Sequence, residues 1–146
     1  MILKQGNLFD TNAKIIAHGV NCQGAFNSGV AGQIARLFPF VKTSYLAKHH
    51  GERWHLGDVQ FVEFSTERIF ANCATQQFYG RKGKFVDYEA VGTCMNKLID
   101  YAESKCYSIA MPKIGCGLGG GDWDVVSKII QEVLQERKVV IEVWDL

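Results

Sequence analysis

Apolar positions along the chain gather into short dense runs separated by longer amphipathic stretches. "MILKQ", "AKIIAHGV", "VQFVEF", "RIFANCAT", "YSIAMP" and "VVIEVWDL" each read as a strand. Between the fourth and fifth runs, Tyr88, Val91, Met95, Leu98 and Ala102 recur at spacings of three and four, which lines one face of a helix over Asp87 to Ser104. Val125, Val126, Ile129, Ile130, Val133 and Leu134 repeat that period, and "ERK" suits the last turn of their helix. A third helix starts near Gly29 and ends before Pro39. Several strands are apolar on both faces, which predicts an α/β sheet covered by helices on each side. "VQFVEFSTERIF" reads as a hairpin, so the sheet is expected to be mixed and mainly six-stranded.

Composition narrows the class. With 146 residues, 47% apolar side chains, only two prolines and no internal repeat, residues 1–146 are expected to form one domain. A net charge of +1 announces neither a nucleic acid nor a membrane surface as partner. The five cysteines are odd in number and contain no C-x-x-C pair, which argues against a disulfide framework and a zinc ribbon. Reduced thiols, no apolar leader and no run of about 20 apolar residues point to a soluble, cytoplasmic protein, with a nuclear location left open.

Two glycine-rich loops lie where a strand turns into a helix, the place at which open α/β sheets hold anionic ligands. The first is "HGVNCQGAFNSGVAGQIA", and the second is "MPKIGCGLGGGDWD", with five glycines in positions 115–121. Gly115, Gly117 and Gly120 satisfy G-x-G-x-x-G, but one helix and one strand before the chain's end is the wrong place for a dinucleotide fingerprint. What survives is backbone able to approach phosphate oxygens, supplied twice. Asp122 is also well placed as an ordinary N-cap.

"GNLFD", "AHGVNCQG", "SGVAGQIARLFP", "ANCATQQFYG", "MPKIGCGLGGGDW" and the terminal "VWDL" together resemble the macrodomain family of ADP-ribose-binding modules over essentially the whole chain. The chain is most similar to the compact branch that holds the yeast-type ADP-ribose 1″-phosphate phosphatase and the terminal ADP-ribose protein glycohydrolases. That resemblance implies a three-layer α/β/α fold with a cleft across the strand ends. It implies that Asn7 and Leu8 face the adenine, that Asn21 contacts ribose hydroxyls, and that Gly29 and Val30 give N–H donors. Thr75 and Gln76 would border the cleft, Gly115, Cys116, Gly117, Leu118 and Gly119 would cradle the diphosphate, and Trp144 would stack near the adenosine half. The implied partners are ADP-ribose, ADP-ribose 1″-phosphate or ADP-ribosylated macromolecules, bound by a monomer without cofactor.

Glycohydrolases of this branch resemble one another in a lysine after the fourth strand and an aspartate in the glycine loop. Here Gln76 and Gly119 stand at those positions, and an amide cannot form a Schiff base. The resemblance therefore favours a phosphatase, with His18 as general acid or phosphate contact, Asn21 as ribose contact and Asp122 as a second proton-transfer candidate. Non-catalytic binding and glycohydrolysis are the alternatives. His49, His50 and His55 lack a carboxylate or thiol partner at helical spacing and read as a solvated loop, so no metal is expected. Cys22 and Cys116 read as small loop residues, and Arg81, Lys82 and Lys84 as a solvated basic loop with phosphate steering as its sharper role.

Overall fold

The computed structural model describes residues 1–80 and 82–145. Leu146 of the last predicted strand and Arg81 of the basic loop lie outside them. The strands are β1 (Ile2–Gln5), β2 (Ile15–Asn21), β3 (Val59–Ser65), β4 (Arg68–Gln76), β5 (Ile109–Pro112) and β6 (Ile141–Asp145). The helices are α1 (Gly29–Leu37), α2 (Pro39–His50), α3 (Tyr88–Lys105) and α4 (Trp123–Leu134). The strands form one sheet in the order β1-β6-β5-β2-β4-β3. Every pairing is parallel except β3 with β4, the hairpin read from the sequence, so the mixed six-stranded α/β sheet is what forms.

Helices cover both faces because the central strands are apolar on both. Ile15, Ala17, Ile69, Ala71 and Cys73 face one core with Val91, Met95 and Leu98 of α3 and Val126 and Ile130 of α4. Ile16, Val20, Phe70 and Ala74 face the other, against Ile34 of α1 and Val41 and Tyr45 of α2. Each fully buried aliphatic side chain contributes roughly 1.5–3 kcal/mol, so a Leu98→Ala cavity alone would cost about 2–5 kcal/mol. Asp87 fixes the start of α3 by accepting from the Ala90 N–H at 2.9 Å, and Cys106 in the left-handed region ends it.

Two elements depart from the sequence reading. Pro39 does not only follow the end of α1 but opens a second helix, because a proline at the first helical position loses no needed N–H. His49 and His50 therefore sit in the last turn of α2 rather than in a loop, and His55 alone lies beyond it. "ERK" lies past the end of α4, where Arg137 binds Asp100 at 2.5 Å and Glu103 at 3.0 Å on α3.

Candidate functional site

The carboxyl ends of β1, β2, β4, β5 and β6 share one edge, since these strands are parallel. After β2 the chain leaves toward α1 on one face, and after β5 toward α4 on the other. Neighbouring β2 and β5 thus form a switch point, the place where an open α/β sheet leaves a crevice.

The β2–α1 loop is held by its own side chains. Asn21 Nδ2 donates to Ala25 O at 2.8 Å, while Asn21 Oδ1 accepts from the N–H groups of Gln23 and Ala25 at 2.9 and 3.2 Å. Tyr45 of α2 donates its hydroxyl to Asn21 O at 2.6 Å and Oδ1 at 3.0 Å, and accepts from Gly24 N at 3.1 Å. The Asn21 amide expected on a ribose hydroxyl is thus 7% exposed and spent on shaping the loop. Tyr45 was not anticipated; the signal was Val41 and Tyr45 at i, i+4 behind Pro39. The product of this bracing is the start of α1. Ser28 makes no side-chain cap bond, so the Gly29, Val30 and Ala31 N–H groups have no partner among the described residues. Gly29 has φ +59°, and a Cβ there would meet nothing within 4 Å.

The second loop is built by packing backbone on backbone. Gly121 N donates to Gly115 O at 2.8 Å and Gly120 N to Gly117 O at 3.0 Å. Gly119 O accepts from Phe85 N at 2.7 Å and Val86 N at 3.0 Å, which ties in the β4–α3 loop. The N–H groups of Gly117, Leu118 and Gly119 have no partner among the described residues. Such a run of free N–H groups is an anion cradle. A Cβ on Gly119 would lie 2.6 Å from Gly115 O and 3.0 Å from Gln76 Oε1. Positions 76 and 119 therefore face each other, and this backbone has no room for an aspartate at 119.

His18 lies inside β2 and is 1% exposed. Gln60 Nε2 donates to Ser44 O at 2.9 Å, Asn72 Nδ2 to Gln60 Oε1 at 3.0 Å, and Asn72 Oδ1 lies 2.5 Å from His18 Nε2. The terminal carbonyl can only accept, which fixes both amides and puts the imidazole proton on Nε2. Burial lowers the ring's pKa to about 4 against the opposing pull of the Asn72 bond. A neutral, enclosed ring whose one proton is held by Asn72 does not meet the requirements of the expected general acid. Its edge meets Phe26 of the first loop at 5.4 Å. Thr75 is likewise fully buried, with its Oγ1 against Gly19.

Asp122 is exposed and caps α4, its Oδ1 accepting from Asp124 N at 2.9 Å. Burial pushes the Cys22 thiol up to about 11, and burial followed by the Asp122 charge pushes Cys116 up, so neither is a thiolate at neutral pH. At the other end of the crevice, Asn7 Oδ1 accepts from Phe9 N at 2.9 Å and caps the short 3-10 turn Leu8–Asp10. The Leu8 side chain is fully buried in the core, so only its backbone could meet a ligand. Trp144 is half-buried, packs on the α1/α2 side of the core and donates to Glu142 Oε1 at 3.0 Å. Among the described residues no three His, Cys, Asp or Glu side chains converge as metal ligands do. Nor is any helix there long and apolar enough to cross a membrane.

A family model described as "Macro domain" matches residues 17–130. A 17.5 kDa protein of Enterobacteria phage T4, from the tk-vs intergenic region, is 34% identical over 137 residues, covering 90% of this chain and 87% of the phage protein. An ADP-ribose 1″-phosphate phosphatase of Candida albicans is 28% identical over 125 residues, 81% of this chain and 80% of that enzyme. A DNA ADP-ribosyl glycohydrolase of Thermus aquaticus is 27% identical over 143 residues, 96% of this chain and 39% of that protein.

Proposed function

The chain belongs to the macro domain family, and from that premise we propose that it binds ADP-ribose and removes the terminal phosphate of ADP-ribose 1″-phosphate. The diphosphate lies on the free N–H groups of Gly117, Leu118 and Gly119, with Gly115 and Cys116 shaping the cradle. The distal ribose and its phosphate lie at the start of α1, on the N–H groups of Gly29 and Val30. Adenine lies toward Asn7 and the Trp144 face, an indole offering a broad stacking surface.

The observation that carries the phosphatase reading over glycohydrolysis is Gln76 facing Gly119: an amide and a bare backbone occupy the two positions at which that chemistry would need an amine and a carboxylate. The likeness to the Candida albicans phosphatase over four fifths of that enzyme supports the same side, whereas the chain spans only 39% of the length of the Thermus aquaticus glycohydrolase. In the hydrolysis, a water attacks phosphorus, the bond from phosphorus to the ribose oxygen breaks, and the leaving oxygen takes a proton from solvent. Asp122 Oδ2, the carboxylate oxygen not used in capping, accepts the proton of the attacking water. The uncapped α1 start stabilises the charge on the phosphate. His18 supports the first loop through Phe26 and serves as a positioning residue. Burial of His18 and full use of Asn21 favour one second reading, ADP-ribose binding without turnover.

Calorimetry with ADP-ribose tests binding, and phosphate release from ADP-ribose 1″-phosphate tests turnover, with ADP-ribosylated DNA and protein as parallel substrates. One binding site with phosphate release on the first substrate alone is the expected result. Binding without release selects the second reading, and release of ADP-ribose from either macromolecule overturns the phosphatase assignment.

A further inference from the structure

Alternation along β6 puts Ile141 and Val143 into the α3/α4 core and turns Glu142 and Trp144 to the opposite face. Packing alone gives no reason for a carboxylate there, since the strand neighbours of Glu142 are Ile2 of β1 and Ala110 of β5. Glu142 forms no ion pair among the described residues. Its Oε1 instead accepts twice, from the Thr11 hydroxyl at 2.5 Å and from the Trp144 Nε1–H at 3.0 Å. Thr11 is itself buried and held on every side. Its N–H donates to Leu8 O at 3.1 Å, its Oγ1 accepts from Ala13 N at 3.0 Å, and its carbonyl accepts from Arg68 Nη2 at 2.9 Å. The Glu142 oxygen is thus fixed from the core before it meets the indole.

An indole N–H can only donate, and the torsion that turns a tryptophan ring about its stem is soft and two-fold, so partial burial leaves the ring plane loosely set. A charge-assisted bond to an anchored carboxylate selects one orientation. The benzo edge of the same ring abuts Gly6, where a Cβ would stand 3.7 Å from Trp144 Cζ3 and φ +125° favours glycine. Gly6 in turn donates its N–H to Asp145 O at 3.2 Å. The ring is therefore defined at its nitrogen edge by Glu142 and at its far edge by the backbone that leads into Asn7.

We propose that Glu142 is a positioning residue for base recognition, fixing the plane of Trp144 so that the indole face meets adenine already oriented. This rests on the reading that adenine lies on the Trp144 face and extends it to a side chain that does not touch the ligand. The benefit is preorganisation: a ring ordered in the free protein need not be ordered on binding. Thr11 serves the same end one step further back, by holding the carboxylate oxygen that holds the indole.

Tryptophan fluorescence and calorimetry with ADP-ribose test it in the wild type, Trp144→Phe, Glu142→Gln, Glu142→Leu and the double variant Trp144→Phe with Glu142→Leu. Circular dichroism confirms that each folds. Stacking on adenine should quench Trp144, a signal that Trp144→Phe lacks. Glu142→Leu removes the acceptor at similar volume and should weaken ADP-ribose about three- to tenfold, with a shallower quench. Glu142→Gln, whose amide oxygen still accepts from the indole, should stay within about twofold of wild type. In the Trp144→Phe background Glu142→Leu should cost nothing further, because phenylalanine has no N–H to hold. In the wild type without ligand, NMR should show the Trp144 indole N–H already exchanging slowly with solvent. An undiminished quench in Trp144→Phe means that the base does not lie on Trp144, and overturns that reading together with the proposal. If Trp144→Phe does lose the quench, the proposal alone falls on any of three results: wild-type affinity in Glu142→Leu, an equal penalty in both backgrounds, or fast exchange of the free indole N–H. Glu142 would then be only an anchor for Thr11.

Discussion

Gly117→Val separates the binding site from the fold. A Cβ at Gly117 meets nothing within 4 Å, and the residue is not among the glycines with positive φ, so a branched side chain stands in solvent on backbone it can adopt. Exposed substitutions of this kind change stability by less than about 0.5 kcal/mol. The same side chain is added to the loop whose Gly117, Leu118 and Gly119 N–H groups are free among the described residues, where the diphosphate would approach. Hydrogen bonds to a charged group contribute about 1.5–3 kcal/mol each, so losing two costs about 3–6 kcal/mol, or roughly 10²- to 10⁴-fold in affinity. Calorimetry with ADP-ribose should therefore lose its signal while the melting temperature stays within about 2 °C of wild type. Gly119→Ala is the opposite case, since its methyl would lie 2.6 Å from Gly115 O, which already accepts from Gly121 N. Overpacking against backbone costs about 1–3 kcal/mol, a fall of several degrees at this chain length. Near-normal ADP-ribose affinity in folded Gly117→Val would remove the diphosphate cradle from the account. Wild-type melting of Gly119→Ala would show that the loop is not packed as described.

Three further outcomes are expected. Asp122→Asn keeps the helix cap and the melting temperature but lowers phosphate release at least about tenfold, whereas Asp122→Ala loses about 1 kcal/mol of stability as well; equal release in wild type and Asn variant would leave Asp122 as a cap only. Tyr45→Phe removes the hydroxyl that binds Asn21 O, Asn21 Oδ1 and Gly24 N, so thermal melts should show a loss of about 1–3 kcal/mol and calorimetry a weaker ADP-ribose site; an unchanged protein would mean that α2 does not hold the first loop. His18 has a pKa of about 4 folded against 6.5 unfolded, so below pH 6.5 the unfolded chain binds the extra proton and stability falls until about pH 4, by roughly 3 kcal/mol in all. Urea melts between pH 7 and 4.5 should lose that share of their slope in His18→Gln, and an NMR titration that shows the ring protonating near 6.5 contradicts the enclosed His18.

The parts of this protein that could be read in advance are those whose cause is local. Alternation of apolar runs gave six strands, and a period of three to four gave α3 and α4, because burial on one face leaves that trace in neighbouring positions; α1 was read from its Gly29 start and the Pro39 that follows it. Helix α2 left a fainter trace: only Val41 and Tyr45 are buried in it, and its polar end looks like a loop. The glycine loops were legible for a related reason. Gly115 at φ +77° packs on Val86, and Gly119 packs on Gly115 O, so those positions need the residue that lacks a side chain.

Polar side chains behaved differently, because what a polar group does depends on who answers it. Asn21 looked free for a ribose until Tyr45, 24 positions away, engaged it; His18 looked like an acid until Asn72, 54 positions away, held its proton. Neither partner is deducible from spacing. A site made of backbone N–H groups is thus announced by its glycines, while Asn21, Tyr45 and His18 support the loop backbone around it. For the same reason Gln76 and Gly119 decide more about the chemistry than His18 does. Restoring a lysine at position 76 would still leave it facing a loop that cannot carry the carboxylate, since the 2.6 Å approach to Gly115 O belongs to the cradle itself. In this chain the loop geometry proposed to hold the diphosphate leaves no room to seat an aspartate at position 119.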